Sequence, residues 1–217
     1  MGHSFKLKFK QPLYLILTLA ILSLSFALYI AQALAARNIA TPALTELPQL
    51  AVGDWIFRAG TSSESQLIQS LSSGEFSHIG MIVNLHPEPL IVHATTDDDP
   101  QRANQVLTST LSEFIDPKRA RRFAIARPKF LSTTDAQKAA QHALRKLGQP
   151  FVLTQRKHQP LYCTTLIADA LQHSNTSFQP VWQHINAPLF SGEYLFPSAF
   201  AAHPDIDWIY HSHNTLK

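Results

Sequence analysis

Two periodicities alternate along the chain. Asp54-Trp-Ile-Phe-Arg58, directly after Gly53, is short and apolar at its centre and predicts a strand. Ser63-Glu-Ser-Gln66 suits a capping box for a short helix carrying Leu67, Ile68 and Leu71, with Gly74 as its stop. Ser77-His-Ile-Gly-Met-Ile-Val-Asn84 and Leu90-Ile-Val-His-Ala-Thr95 predict two strands. Leu85-His-Pro-Glu-Pro89 between them is a turn, because its prolines cannot donate to a ladder, so the pair predicts a hairpin. Thr96 to Asn104 is polar and acidic, and Asp97-Asp-Asp99 reads as part of a solvated loop. Residues 105–108 and 122–127 predict further strands. Ala136, Ala139, Ala140, Ala143, Leu144 and Leu147 recur at helical spacing behind Thr134-x-x-Gln137, and Gly148 closes that helix. A second helix follows Pro160 and lays Cys163, Leu166, Ile167, Ala170 and Leu171 on one face, with Asn175 as its stop. A loop rich in proline and aromatic residues then leads to a last strand, Asp207-Trp-Ile-Tyr-His211. No internal repeat is visible. The predicted fold class is α+β: one domain, residues 53–217, with an antiparallel sheet and packed helices.

The start of the chain has a different pattern. Lys6, Lys8 and Lys10 precede a run from Leu13 to Ala36 that holds no charge and ends with Ala33-Leu-Ala35. Basic residues, an apolar stretch and an A-x-A site are the parts of a secretory signal. The apolar stretch also approaches the ~20 residues of a membrane span, so residues 1–36 are expected to be a cleaved signal peptide or an uncleaved membrane anchor. Either reading exports the body, to the periplasm or to the outer side of the membrane, and the lysines fit a cytoplasmic N-terminus. Residues 37–52, punctuated by Thr41-Pro42 and Leu47-Pro48, are expected to be a linker.

Composition narrows the function classes. A chain of 217 residues that is 45% hydrophobic can bury a core, which excludes global disorder. The three N-terminal lysines account for the whole net charge of +3, so the remainder is formally neutral. It therefore lacks the footprint of a nucleic-acid binder, and no nucleic-acid partner is expected. Arg119, Arg121 and Arg122 read as a solvated face rather than a phosphate site. A single cysteine excludes an intramolecular disulfide, a Cys-rich zinc site and an N-terminal lipid attachment.

That cysteine is the first candidate for chemistry. Cys163 falls at the first turn of its helix, where unpaired N–H groups and the helix dipole favour thiolate. A thiolate enzyme needs a base, usually histidine, and a group that orients it. Among 11 histidines, His78 opens a strand and His93 lies inside an apolar one, where an ionisable side chain requires a partner. The hairpin can bring the two together, but one bulge would reverse the parity, so their faces stay open. No G-x-S-x-G, H-E-x-x-H, Walker A or G-x-G-x-x-G motif is present. His211-x-His213 would share one face of a strand, yet beside the chain end an incidental pair is the better reading. No cofactor and no metal are expected.

Several segments together resemble the circularly permuted NlpC-type papain-like cysteine hydrolases, in particular the YiiX-like group, with lecithin:retinol acyltransferases as distant relatives. They are Gly53-Asp-Trp-Ile-Phe57, Phe76-Ser-His-Ile-Gly-Met-Ile-Val83, Ile91-Val-His-Ala94, Tyr162-Cys-Thr-Thr-Leu-Ile167, and the tail Tyr194-Leu-Phe-Pro-Ser198 with Asp205 to Tyr210. The resemblance implies Cys163 as nucleophile, His78 as base and His93 as third polar residue. Beside the thiol, Tyr162 has two readings from the residues themselves: a hydroxyl donor to the oxyanion or substrate, or a core side chain. It departs from the group at Thr165, where an acidic residue is common. It implies a thiol hydrolase or acyltransferase that cleaves an amide, thioester or ester bond in a peptide or acyl-lipid substrate. The competing reading is a non-catalytic, membrane-anchored binding domain on the same fold, touching the membrane through an uncleaved N-terminal segment.

Overall fold

The computed structural model describes residues 20–27, 47–174, 178–187 and 190–212. By its internal contacts the chain divides into Met1–Ala40 and Thr41–Lys217. Of the first unit, residues 20–27 are helical with exposed side chains. The rest of the expected signal or anchor lies outside the described residues, and no helix among them is long and apolar enough to cross a membrane.

In the second unit six strands form one antiparallel sheet in the order β4-β3-β2-β1-β5-β8. These are β1 (Trp55–Gly60), β2 (His78–Asn84), β3 (Leu90–Thr95), β4 (Gln105–Thr110), β5 (Ala120–Pro128) and β8 (Ile206–His211). The predicted hairpin is β2–β3, with Met81 opposite Val92 and a register shift beside Asn84. Alternation then sorts side chains to two faces. Trp55, Phe57, Ile79, Met81, Val92 and Val106 face a large cluster, and Ile56, Ile82, Ile91 and Ile125 face a smaller one.

The large cluster is covered by helices. Helix α1 (Ser63–Ser72) precedes β2, and α2 (Leu111–Phe114) follows β4. Helices α3 (Thr133–Leu144) and α4 (Cys163–Gln172) pack on each other and on β2 and β3. Their alanines and leucines enter the large cluster, while Leu111 and Phe114 of α2 enter the smaller one. Gly53 has φ +92, and a Cβ there would stand 2.6 Å from the Ala136 Cβ, so glycine permits the close approach of α3.

The expected elements are present, with shifted ends. Ser62 rather than Ser63 caps α1, accepting the Ser65 N–H, and Ser73 in the left-handed region closes it in place of Gly74. Ser132 caps α3, which ends at Leu144, so Leu147 of the expected apolar stripe is exposed. His173 ends α4, and the expected stop Asn175 lies outside the described residues. The tail is not a plain loop. It holds a second, two-stranded sheet, β6 (Gln183–Ala187) with β7 (Phe190–Tyr194), and helix α5 (Pro197–Ala201). Leu47 and Leu50 of the expected linker pack against the smaller cluster. Asp54 is buried: it accepts the Ala51 N–H at 2.7 Å and two bonds from Arg127 at 2.8 and 2.7 Å, fixing the entry to β1.

Candidate active site

Cys163 is the first residue of α4 and is buried. The N-cap is Tyr162, whose own N–H is taken by Thr165 Oγ1 at 2.8 Å. Thr165 is therefore a cap for the helix that carries the thiol. The sulfur meets the Ile79 N–H of β2, one residue along from His78, and the N–H groups of Thr164 and Cys163 also act on it. These contacts favour thiolate, as the helix start predicts, but burial outweighs them and pushes the thiol up to about 11. Desolvation thus outweighs the helix start and favours the neutral thiol at rest.

The register answers the open question of faces. With Met81 opposite Val92, His78 and His93 fall on the same side of the hairpin. His78 Nε2 lies 2.9 Å from His93 Nδ1, with the rings nearly perpendicular at 84°. His93 is fully buried, and its Nε2 lies 3.0 Å from Ser109 Oγ on β4. Phe114 of α2 packs against both imidazoles, at 5.6 and 5.1 Å between centroids. Gly80 makes room for that ring, since a Cβ there would stand 2.4 Å from Ile91 Cγ2 and 3.2 Å from Phe114 Cε2. The glycine of the S-H-x-G segment thereby has a packing reason.

Asp98 corrects the reading of its loop as solvated. It is only 7% exposed, and Arg58 at the end of β1 grips it through two bonds of 2.7 and 2.6 Å. Thr95 Oγ1 and Arg119 hold the same residue, at its carboxylate and its carbonyl. The Arg58 guanidinium also lies over the Phe114 ring at 4.7 Å. Burial opposes the charge on Asp98, but the Arg58 bonds and charge prevail and hold its carboxyl well below the usual range. Asp98 Oδ2 lies 3.8 Å from His93 Nδ1. Burial is nevertheless the largest influence on His93 and lowers it to about 3, with Asp98 pulling up and Arg58 pulling down. Burial also holds His78 well below its ordinary value, assisted by Arg58. Both rings are neutral at rest.

Tyr162 is buried, and its hydroxyl oxygen accepts the Leu195 N–H at 2.8 Å. Thr164 Oγ1 donates to the Leu195 carbonyl at 2.8 Å, so the segment after β7 is tied across the start of α4. Arg58, Asp98 and Ser109 were missed by sequence reasoning. No sequence signal separates Asp98 from its two acidic neighbours, whereas Thr110-Leu-Ser-Glu113 is a legible capping box and would have announced α2.

Arg119, Arg121 and Arg122 are each engaged, with Glu113 O, Gln69 Oε1 and Glu75 respectively. Among the described residues, His142, Asp169 and His173 stand close enough together to hold a metal ion. They sit towards the opposite end of α4 from Cys163, and Lys146 occupies Asp169 at 3.2 Å while Arg145 occupies His142 Nδ1 at 3.1 Å. His213 of the terminal histidine pair lies outside the described residues. A cavity of about 530 Å³ lined by Gly53, Asp54, Arg127, Lys129 and Thr133 touches none of the three candidate catalytic residues.

The neutral imidazoles make stability pH-dependent. The value for folded His93 lies below the ordinary 6.5, so its contribution is complete above about pH 6.5 and is lost as pH falls towards 3. Urea unfolding should show stability falling by up to about 1.4 kcal/mol per pH unit from this residue, and His93→Gln should flatten the slope. An unchanged slope in that variant would show that His93 is not held neutral.

Residues 49–206 match the model of the family described as "Permuted papain-like amidase enzyme, YaeF/YiiX, C92 family". The "Uncharacterized protein YiiX" of Escherichia coli strain K12 is 31% identical over 114 residues, a match that spans 52% of this chain and about half the length (52%) of that protein. A solved structure titled "Crystal structure of metalloprotein yiiX from Escherichia coli O157:H7" has a TM-score of 0.60 at 22% identity, covering 75% of this chain and 98% of that one, and shows a shared fold. The cysteine at a helix start, the preceding histidine strands and the match over most of the body agree: the chain belongs to the YaeF/YiiX family of permuted papain-like amidases.

Proposed function

We propose that this protein is an exported thiol hydrolase or acyltransferase that acts on an amide, thioester or ester bond of a peptide or acyl lipid. One observation carries the reading: a buried thiol at a helix start meets the Ile79 amide of β2, the strand that opens with His78, and His78 Nε2 lies 2.9 Å from a second histidine. Family membership supports the class of reaction, cysteine-dependent amide hydrolysis.

In the proposed sequence the Cys163 proton passes to His78 Nδ1, the ring nitrogen that His93 leaves free. The sulfur then attacks the acyl carbon. The Cys163 N–H, at the start of α4, stabilises the oxyanion, and the Tyr162 hydroxyl supplies a second donor. The tetrahedral intermediate then collapses: the scissile bond breaks, the His78 imidazolium gives its proton to the leaving group, and the acyl group stays on the sulfur as a thioester. Water, or an acceptor alcohol or amine, then takes the acyl group from the sulfur. His93 orients His78 and accepts its Nε2–H while the imidazolium exists. Because thiol and imidazole both rest neutral, charge separation belongs to the reaction itself, and the fixed dipoles around the sulfur serve to lower its cost.

The purified chain should be assayed against cell-wall peptides and acyl lipids. Cys163→Ala and His78→Ala should each cut turnover by about a thousandfold or more, while His93→Ala leaves a measurable remainder, as orienting groups do. Tyr162→Phe strands the Leu195 N–H and should lower stability by about 1–3 kcal/mol, and it should also lower turnover of the folded protein; parental turnover of the folded variant makes Tyr162 an anchor for Leu195 alone. Parental turnover in Cys163→Ala would sink the scheme. Export rests on the lysine–apolar–A-x-A pattern of residues 1–36. A reporter that works only in the cytoplasm, fused after residue 45, should be silent, and strong activity would remove that part of the proposal.

A further inference from the structure

Ser109 stands at the inner end of the polar chain, buried, with its Oγ 3.0 Å from His93 Nε2. His93 Nδ1 in turn is 2.9 Å from His78 Nε2. Three groups joined in this way have two consistent directions of hydrogen bonding. In the first, His78 Nε2–H donates to His93 Nδ1 and His93 Nε2–H donates to Ser109 Oγ, leaving His78 Nδ1 bare. In the second, the Ser109 hydroxyl donates to His93 Nε2, His93 Nδ1–H donates to His78 Nε2, and His78 Nδ1 carries hydrogen. A serine hydroxyl serves either direction, since it both donates and accepts. The Asp98 carboxylate, 3.8 Å from His93 Nδ1, favours a hydrogen there and so pulls towards the second.

Only the first direction lets His78 take a proton from the thiol. Once His78 is an imidazolium both its nitrogens carry hydrogen, so His93 Nδ1 must be bare and its Nε2–H must have an acceptor. Ser109 Oγ is that acceptor. We infer that Ser109 is a positioning residue: by accepting the His93 Nε2–H it holds the two-histidine chain in the direction that leaves His78 Nδ1 free to receive the Cys163 proton. The inference rests on the thiol–imidazole reading above. Without the hydroxyl, the first direction would strand a buried N–H, which is costly. The second would strand only a lone pair and would place Nδ1–H towards Asp98, so the chain would reverse into the form that cannot act as base.

Two readouts on the full-length protein test this. Nitrogen-15 NMR of histidine-labelled protein gives the tautomers of His78 and His93, assigned by the signals lost in His78→Ala and His93→Gln. The parent should carry hydrogen on both Nε2 atoms, and Ser109→Ala should move it to Nδ1 in both. The second readout is alkylation by iodoacetamide, which reports on Cys163 alone because the chain has one cysteine. Its rate at neutral pH should fall about tenfold in Ser109→Ala, the worth of one such hydrogen bond, and Ser109→Thr should restore it to within about threefold. The rate should be followed across pH, with the charges that act on His93 (Asp98, Arg58, Arg119 and Arg102) left unchanged. Hydrogen on His93 Nδ1 in the parent overturns the inference, and this measurement stands even if Ser109→Ala does not fold. Parental tautomers and rate in Ser109→Ala overturn it as well. If His78→Ala slows alkylation while Ser109→Ala does not, only the role of Ser109 falls; if His78→Ala alkylates like the parent, the thiol–imidazole reading falls with it.

Discussion

A guanidinium and a carboxylate enter a protein interior at a tolerable cost only when they enter together, because either alone would be an uncompensated buried charge. Arg58 and Asp98 do so here, with four polar atoms joined in two bonds. The pair ties the end of β1 to the loop after β3, and Arg58 reaches the Phe114 carbonyl of α2 at 3.2 Å. Phe114 is thereby seated between the guanidinium and the two imidazoles. Removal of either charge would leave the other beside His93, so the geometry of the histidines depends on an ion pair that need not touch substrate.

The same pair explains why the histidines stay neutral. Asp98 alone would draw protons onto His93 and His78, and Arg58 alone would repel them. They act in opposite senses, and burial is the largest influence on both rings. Burial acts on the thiol in the opposite sense and raises it. Both shifts favour the uncharged couple over the thiolate–imidazolium pair.

Most of the sheet was legible because β-branched runs between turn residues read the same in any packing. The hairpin, the cysteine helix and His78 with His93 come directly from such runs. The facing of the two histidines was not legible, since strand parity depends on the Met81–Val92 register and on the shift beside Asn84. Asp98 was hidden between two identical neighbours, and the position of Arg58 across the fold selects it. Arg58 looked like an ordinary strand residue and Ser109 fell one position past the predicted strand 105–108, and their partners lie 40 and 16 positions away. The acidity of the thiol was only half legible: a helix start is visible in sequence, whereas the depth at which it is buried is not.

The neutral resting couple is tested most directly by ultraviolet titration of the lone thiol in the free full-length protein, with the Cys163→Ala protein as the background. A buried thiol held against the Ile79 amide predicts thiolate absorbance that develops only as pH approaches about 11. Thiolate already formed at neutral pH, accompanied by a protonated His78, would contradict it.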